Sequence, residues 1–103
     1  MFVTSQGSPH ARFRRALKTG NLAVIRTAAA ELPTVNLGDA LAVCVAIREA
    51  EPQRFERAAL RWLARFCVER PAATVADVRL AAAAFERMGS DPAGSLETLR
   101  RLC

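Results

Sequence analysis

Apolar residues recur along this chain at intervals of three and four, and Pro, Gly and capping residues cut the pattern into six stretches. Ser8 and Pro9 open the first as N-cap and first-turn residue; Phe13, Ala16 and Leu17 mark its buried side, and Gly20 closes it. Asn21 caps the second, in which Leu22, Ile25, Ala29 and Leu32 share a face until Pro33 stops the helix. Asn36 and Asp39 form an approximate capping box for a third helix from Leu37 to about Ala50. Pro52 begins a fourth that ends before Pro71. Thr74 and Asp77 repeat the start signal for a fifth, ended by Gly89, and Ser90, Asp91 and Pro92 launch a sixth through Leu96 and Leu99. Strand signals are missing: there is no sustained alternation, no Asn-Gly or Asp-Gly turn and no Tyr. Helices joined by such short connections fold back on their neighbours. The expected fold is all-α, six short helices in a compact antiparallel bundle or a short superhelical stack of αα-hairpins. Residues 1–7 are expected to be a flexible N-terminus and 8–103 a single helical domain.

The third helix carries the strongest packing constraint. Between Asp39 and Arg48 all eight residues, ALAVCVAI, are apolar, so more than two turns lack a polar side and must be covered all round. The other five helices can supply that cover, or one side of this helix is met by another protein or by a second copy, which would be self-association through helix 3. Two faint internal echoes accompany the pattern. PTVNLGD at 33–39 and PAATVAD at 71–77 lie 38 residues apart, whereas RFRRA at 12–16 and RFERA at 54–58 lie 42 apart. No single period fits both, and shared helix-start chemistry or a duplicated hairpin would each produce them.

The fourth helix raises the functional question. Arg54, Arg57, Arg61 and Arg65 fall within an arc of roughly 80° at 3.6 residues per turn, opposite Phe55, Ala59, Trp62, Leu63 and Phe66. Leu60, Ala64 and Val68 occupy a flank where solvent normally meets polar side chains. The 57–61 and 61–65 spacings are like-charge pairs, each unfavourable by about 0.2–0.5 kcal/mol on an isolated helix. Glu69 offers relief to Arg65 within the helix, and Glu49, Glu51, Asp77 or Glu86 could do so from neighbours. Alternatively the arginine stems cover apolar surface, or the strip meets an acidic surface of a partner, where guanidinium pairs bidentately with carboxylate or phosphate.

Composition changes this picture little. With 51% hydrophobic and 24% charged residues the chain is globular rather than disordered. The formal charge of +5 comes from fourteen Arg, one Lys (Lys18) and ten acidic residues. Arg and Ala in place of Lys and Ile is what a GC-rich genome writes at exchangeable surface positions, which weakens the basic balance as a functional signal. The longest apolar run, from Ala40 to Ile47, is far short of the roughly 20 residues of a membrane span. The opening MFVTSQGSPH lacks the charged start and apolar stretch of a secretory signal, so no membrane association and a cytoplasmic location are expected. Cys44, Cys67 and Cys103 form no CxxC pair and read as reduced thiols, two of them small core residues. In an antiparallel hairpin turning near residue 52, Cys44 and Cys67 would lie roughly 10 Å out of register, which argues against a bridge.

Known chemistries find few of their requirements here. A helix-turn-helix reader needs polar side chains on its second helix, and the stretch 21–32 offers only Asn21, Arg26 and Thr27 before its last turn. Single-strand binders interleave basic residues with exposed aromatics, whereas the six aromatics here fall mostly on core faces. Contact with nucleic-acid backbone without sequence readout survives as an alternative, through the strip together with Arg12, Arg14, Arg15 and Lys18. His10, the lone histidine, has no Ser, Cys or carboxylate beside it at helical spacing, the five glycines are isolated, and metal-ligand spacing is missing. An enzyme is therefore not expected, nor a cofactor or metal. The expected role is a non-enzymatic protein-protein interaction module or adaptor that contacts an acidic partner through Arg54, Arg57, Arg61 and Arg65. The stretch from Leu32 to Cys67, with ERAALRW at Glu56–Trp62, resembles small all-helical proteins of unassigned function from GC-rich actinobacteria. That resemblance implies no activity and no site.

Overall fold

A computed structural model describes residues 8–103, and the expected flexible segment 1–7 lies outside them. Six α-helices are present among the described residues, as the periodicity requires: α1 (Pro9–Thr19), α2 (Leu22–Ala29), α3 (Leu37–Ala50), α4 (Phe55–Glu69), α5 (Val75–Arg87) and α6 (Pro92–Leu102). No strand occurs among the described residues.

The helix boundaries follow from local chemistry. Ser8 Oγ accepts from the Ala11 N–H at 3.3 Å and Asn21 Oδ1 from Val24 at 3.2 Å. Gly20 ends α1 in the left-handed conformation, φ 67°, which an L side chain resists. The two expected capping boxes differ in outcome. Thr74 and Asp77 exchange bonds at 3.1 and 3.0 Å. Asn36 receives the Asp39 N–H at 2.8 Å, but the Asp39 carboxylate turns to Arg14 on α1, 3.5 Å away. Two helices are shorter than the pattern predicts. α2 ends at Ala29 rather than running to Pro33, because the Glu31 and Leu32 amides tighten onto the Ala28 and Ala29 carbonyls and proline disfavours helical geometry in the residue before it. Pro52 starts a 3₁₀ turn, Pro52–Arg54, from which α4 then continues.

Each helix packs chiefly on its neighbours in the chain, most closely within the pairs α1–α2, α3–α4 and α5–α6. The result is three antiparallel hairpins laid in sequence, extending 51 × 30 × 21 Å. Of the two internal echoes, the one at a spacing of 38 falls at the starts of α3 and α5, the first helices of the second and third hairpins. The one at 42 relates α1, a first helix, to the start of α4, a second helix, so it does not follow the hairpin plan.

Two apolar clusters form the core, and α3 is the wall they share. On one side Phe13, Ala16, Leu22 and Ile25 pack with Ala46. On the other, Leu37, Leu41 and Cys44 meet Trp62 and Phe66 of α4, Ala81, Ala84 and Phe85 of α5, and Leu99 of α6. From Asp39 to Arg48 no residue is exposed, so most of the apolar girth of α3 is covered within the chain. Trp62 is the keystone of the larger cluster. Its ring stacks on Phe66 and meets Phe85 edge-on, both at 5.5 Å between centroids, and its indole N–H donates to the Leu37 carbonyl at 2.9 Å. That bond fixes the first turn of α3 to the middle of α4. Ser95 is wholly buried, and its hydroxyl has no hydrogen-bond partner among the described residues.

Replacing Trp62 by Phe keeps most of the apolar volume but removes the indole donor, and is expected to cost about 1–3 kcal/mol. Trp62→Ala should cost about 3–5 kcal/mol. Ser95→Ala should leave stability unchanged or raise it by up to about 1 kcal/mol, since the buried hydroxyl loses nothing in the exchange. Urea unfolding followed by circular dichroism measures all three.

Candidate functional site

Arg57, Arg61 and Arg65 lie on α4, whereas Arg54 ends the 3₁₀ turn that precedes it, and the four divide into two kinds. Arg54, Arg57 and Arg61 are exposed, whereas Arg65 is half-buried. Arg65 Nη2 donates to the Val35 carbonyl at 2.7 Å, and Nε donates to Glu69 at 2.7 Å. It therefore stitches α4 to the connection before α3 and satisfies a backbone acceptor there. Its guanidinium is occupied in holding the fold, unlike the three before it. The expected relief by Glu69 is present, and of the four carboxylates considered across helices, Glu51 reaches the strip, 3.6 Å from Arg54. Asp77 serves its own cap instead.

A further arginine joins the strip through the tertiary fold. Arg26 on α2 places Nη1 and Nη2 at 3.1 and 3.0 Å from the two oxygens of Glu51, a bidentate pair that ties the first hairpin to the end of α3. Arg26, Arg54, Arg57 and Arg61 then line one hollow of about 230 Å³, whose walls also include Ile47 and Ala58. Arg57 and Arg61 have no carboxylate within ion-pair distance among the described residues. The sequence showed Arg26 only as a polar residue next to Ile25 on the edge of a buried face. Nothing in its spacing pointed across to α4, since the approach depends on how the first hairpin docks against α3.

Electrostatics within the site follow these contacts. The hydrogen bonds from Arg26 hold the Glu51 carboxyl below the usual carboxylate range, and the nearby charges of Arg26 and Arg54 act in the same direction. Glu69 is held below that range by its bond from Arg65. Behind the hollow, burial pushes the Cys44 thiol up to about 11, opposed weakly by the charge of Arg61. Cys44 packs in the core with its Sγ 3.7 Å from the Ala58 carbonyl, Cys103 is half-buried against the same cluster, and Cys67 is exposed. All three are free thiols, including the unbridged pair 44 and 67.

The flank of α4 beside the arginines is apolar and open. Leu60 is 50% and Val68 79% exposed, with Ala64 and Cys67 exposed between them. Past Leu60 a larger cleft of about 660 Å³ runs between α4 and α5, floored by Phe55, Ala59, Leu63 and Phe85 and edged by Glu56, Leu60 and Glu86. Along α3 lie two small hollows, one of about 210 Å³ at Gly38, Ala42, Val45 and Glu49 between α1 and α6, and an apolar one of about 270 Å³ at Ala40, Val43 and Ile47 beside Arg61 and Arg65. Among the described residues no helix is long and apolar enough to cross a membrane. His10 lies exposed in the first turn of α1, and no group of three or more His, Cys, Asp or Glu is placed to hold a metal among the described residues. Compared with known protein families, curated proteins and solved structures, the chain matches none.

Two expectations separate the roles within the strip. Arg57→Gln with Arg61→Gln should leave the unfolding midpoint unchanged or slightly higher, since it relieves like-charge pairs worth about 0.2–0.5 kcal/mol each. Arg65→Ala should lower it, because the Val35 carbonyl and Glu69 both lose their donor. Depressed carboxyl groups also set a pH window. Because Glu51 and Glu69 ionise more readily folded than unfolded, their stabilising contribution is full at neutral pH and is lost as pH falls through their lowered values. Thermal melts between pH 6 and pH 2.5 should therefore show a smaller acid-induced drop in Glu51→Gln and Glu69→Gln than in the parent chain.

Proposed function

We propose that this chain is a non-enzymatic protein-interaction module that contacts an acidic surface of a partner protein through Arg54, Arg57 and Arg61, with Arg26 completing the patch. One observation carries the reading: Arg57 and Arg61 have no carboxylate partner among the described residues, on a helix that also leaves Leu60 and Val68 exposed. A partner surface that mixes carboxylates with apolar side chains satisfies both features at once. Arg65 supports the patch from behind by holding α4 against Val35. No residue of α3 from Asp39 to Arg48 is exposed and the hollows along it are shallow, so we favour a contact on α4 over self-association through α3.

The second reading, grip on nucleic-acid backbone, draws on the same cations. It leaves Leu60 and Val68 without a role, which is why the protein partner is preferred. Affinity capture from the native host, with the parent chain and with Arg57→Gln/Arg61→Gln as baits, tests the proposal. Partners with acidic surfaces should be lost from the double variant by at least about tenfold while its helical spectrum is unchanged, an effect consistent with removing charge-assisted contacts. Retention of the same partners by both baits counts against it. Duplex DNA bound tightly in low salt, with affinity falling steeply as salt rises, would favour the nucleic-acid reading instead.

A further inference from the structure

The arginine-lined hollow is short of negative charge by more than one carboxylate can supply. Arg26, Arg54, Arg57 and Arg61 bring four positive charges to it, and Glu51, the one carboxylate paired to any of them, brings a single negative charge, leaving three. Glu51 also sits to one side: it takes both donors of Arg26 and lies near Arg54, so the Arg57 and Arg61 end stays open. These two lie four residues apart on α4, so their guanidinium groups project from successive turns of one face.

Resting on the reading of this patch as a partner-contacting surface, we infer that the hollow is a binding site for a phosphate monoester carried on a phosphorylated Ser or Thr of the partner protein. Such a group carries about −1.5 to −2 charge at neutral pH and three strong acceptor oxygens, against −1 and two oxygens for a carboxylate. Planar guanidinium forks bind phosphate bidentately, and forks arriving from α2 and α4 approach the group from different directions. Ile47 and the buried Ala58 supply apolar wall for the short aliphatic stem that carries the phosphate. Leu60, exposed three residues after Arg57 on α4, then meets an apolar side chain of the partner further from the modified residue, a contact that a sugar-phosphate backbone does not offer. Glu51 acts as an internal competitor, an anion of this chain that occupies Arg26 and weakens any anion arriving from outside.

The test uses the full chain and three fluorescein-labelled heptapeptides that differ only in a central phosphoserine, Glu or Ser. Fluorescence polarisation in 50 mM salt at pH 7.5 should show the phosphoserine peptide binding at least about tenfold more tightly than the Glu peptide, and the Ser peptide weakest. Arg57→Gln/Arg61→Gln should abolish that preference, and Glu51→Gln should tighten phosphoserine binding severalfold. Lowering the pH to 5.0 protonates a monoester whose second pKa is about 6, and should shrink the preference to under about threefold. Of the protein groups facing the hollow beside the four arginines, Glu51 is held below the usual carboxylate range by its bonds from Arg26, and the Cys44 thiol behind Arg61 is pushed up to about 11 by burial. Equal affinity for the phosphoserine and Glu peptides overturns the phosphate assignment while leaving an acidic partner in place. No binding of either overturns both. A preference for a thymidine octanucleotide over every peptide, with no change between pH 7.5 and 5.0, overturns the assignment in favour of phosphodiester backbone.

Discussion

A helix with no polar side is the constraint from which the rest of this structure follows. The run from Ala40 to Ile47 offers water nothing, so every direction around α3 has to be filled by apolar side chains. The first hairpin covers one side with Phe13, Leu22 and Ile25, while α4, α5 and α6 cover the other with Trp62, Phe66, Phe85 and Leu99. Each large side chain buried in this way contributes about 1.5–3 kcal/mol relative to exposure. The two clusters are therefore energetically linked through a common wall rather than being separate small cores. The bond from Trp62 to the Leu37 carbonyl sets the register of that wall against α4.

The arginine patch is a consequence of this arrangement as much as an addition to it. Because α4 must turn Trp62 and Phe66 towards α3, its arginines are driven to the side facing the end of the first hairpin, where Arg26 lies. Crowding of like charge there is tolerated because Glu51 bridges Arg26 and Arg54 and because guanidinium groups at the surface remain hydrated. Arg65, one turn beyond Arg61, meets a backbone carbonyl and so becomes part of the scaffold. Four similar residues, three on α4 and Arg54 in the turn before it, thus acquire different roles from the groups that happen to lie opposite them. Charge left without a partner beside an exposed apolar flank is the feature on which the functional reading stands.

Much of the fold was legible in residue spacing because the signals are local. An N-cap oxygen bonds an amide three residues on, and a proline or a left-handed glycine interrupts the chain at its own position, as Ser8, Asn21, Thr74 and Gly20 show. One difference arose where a distant group competed for a local one, since the Asp39 carboxylate turns to Arg14 rather than closing its capping box. The other is local: the last turn of α2 tightens before Pro33. The apolar run of α3 correctly demanded cover, but not which elements would provide it.

By itself, then, the sequence determined six helices, most of their caps, the need to bury α3 and the helical spacing of Arg57, Arg61 and Arg65, because each depends on neighbours within a few residues at a fixed rise and turn. Only the tertiary structure decided that hairpins stack in chain order, that Arg26 joins the patch and that Arg65 leaves it. Those outcomes depend on separations of 25 residues or more, between Arg26 and Glu51 and between Val35 and Arg65, and no periodicity along the chain encodes which side chain arrives opposite another once the helices dock.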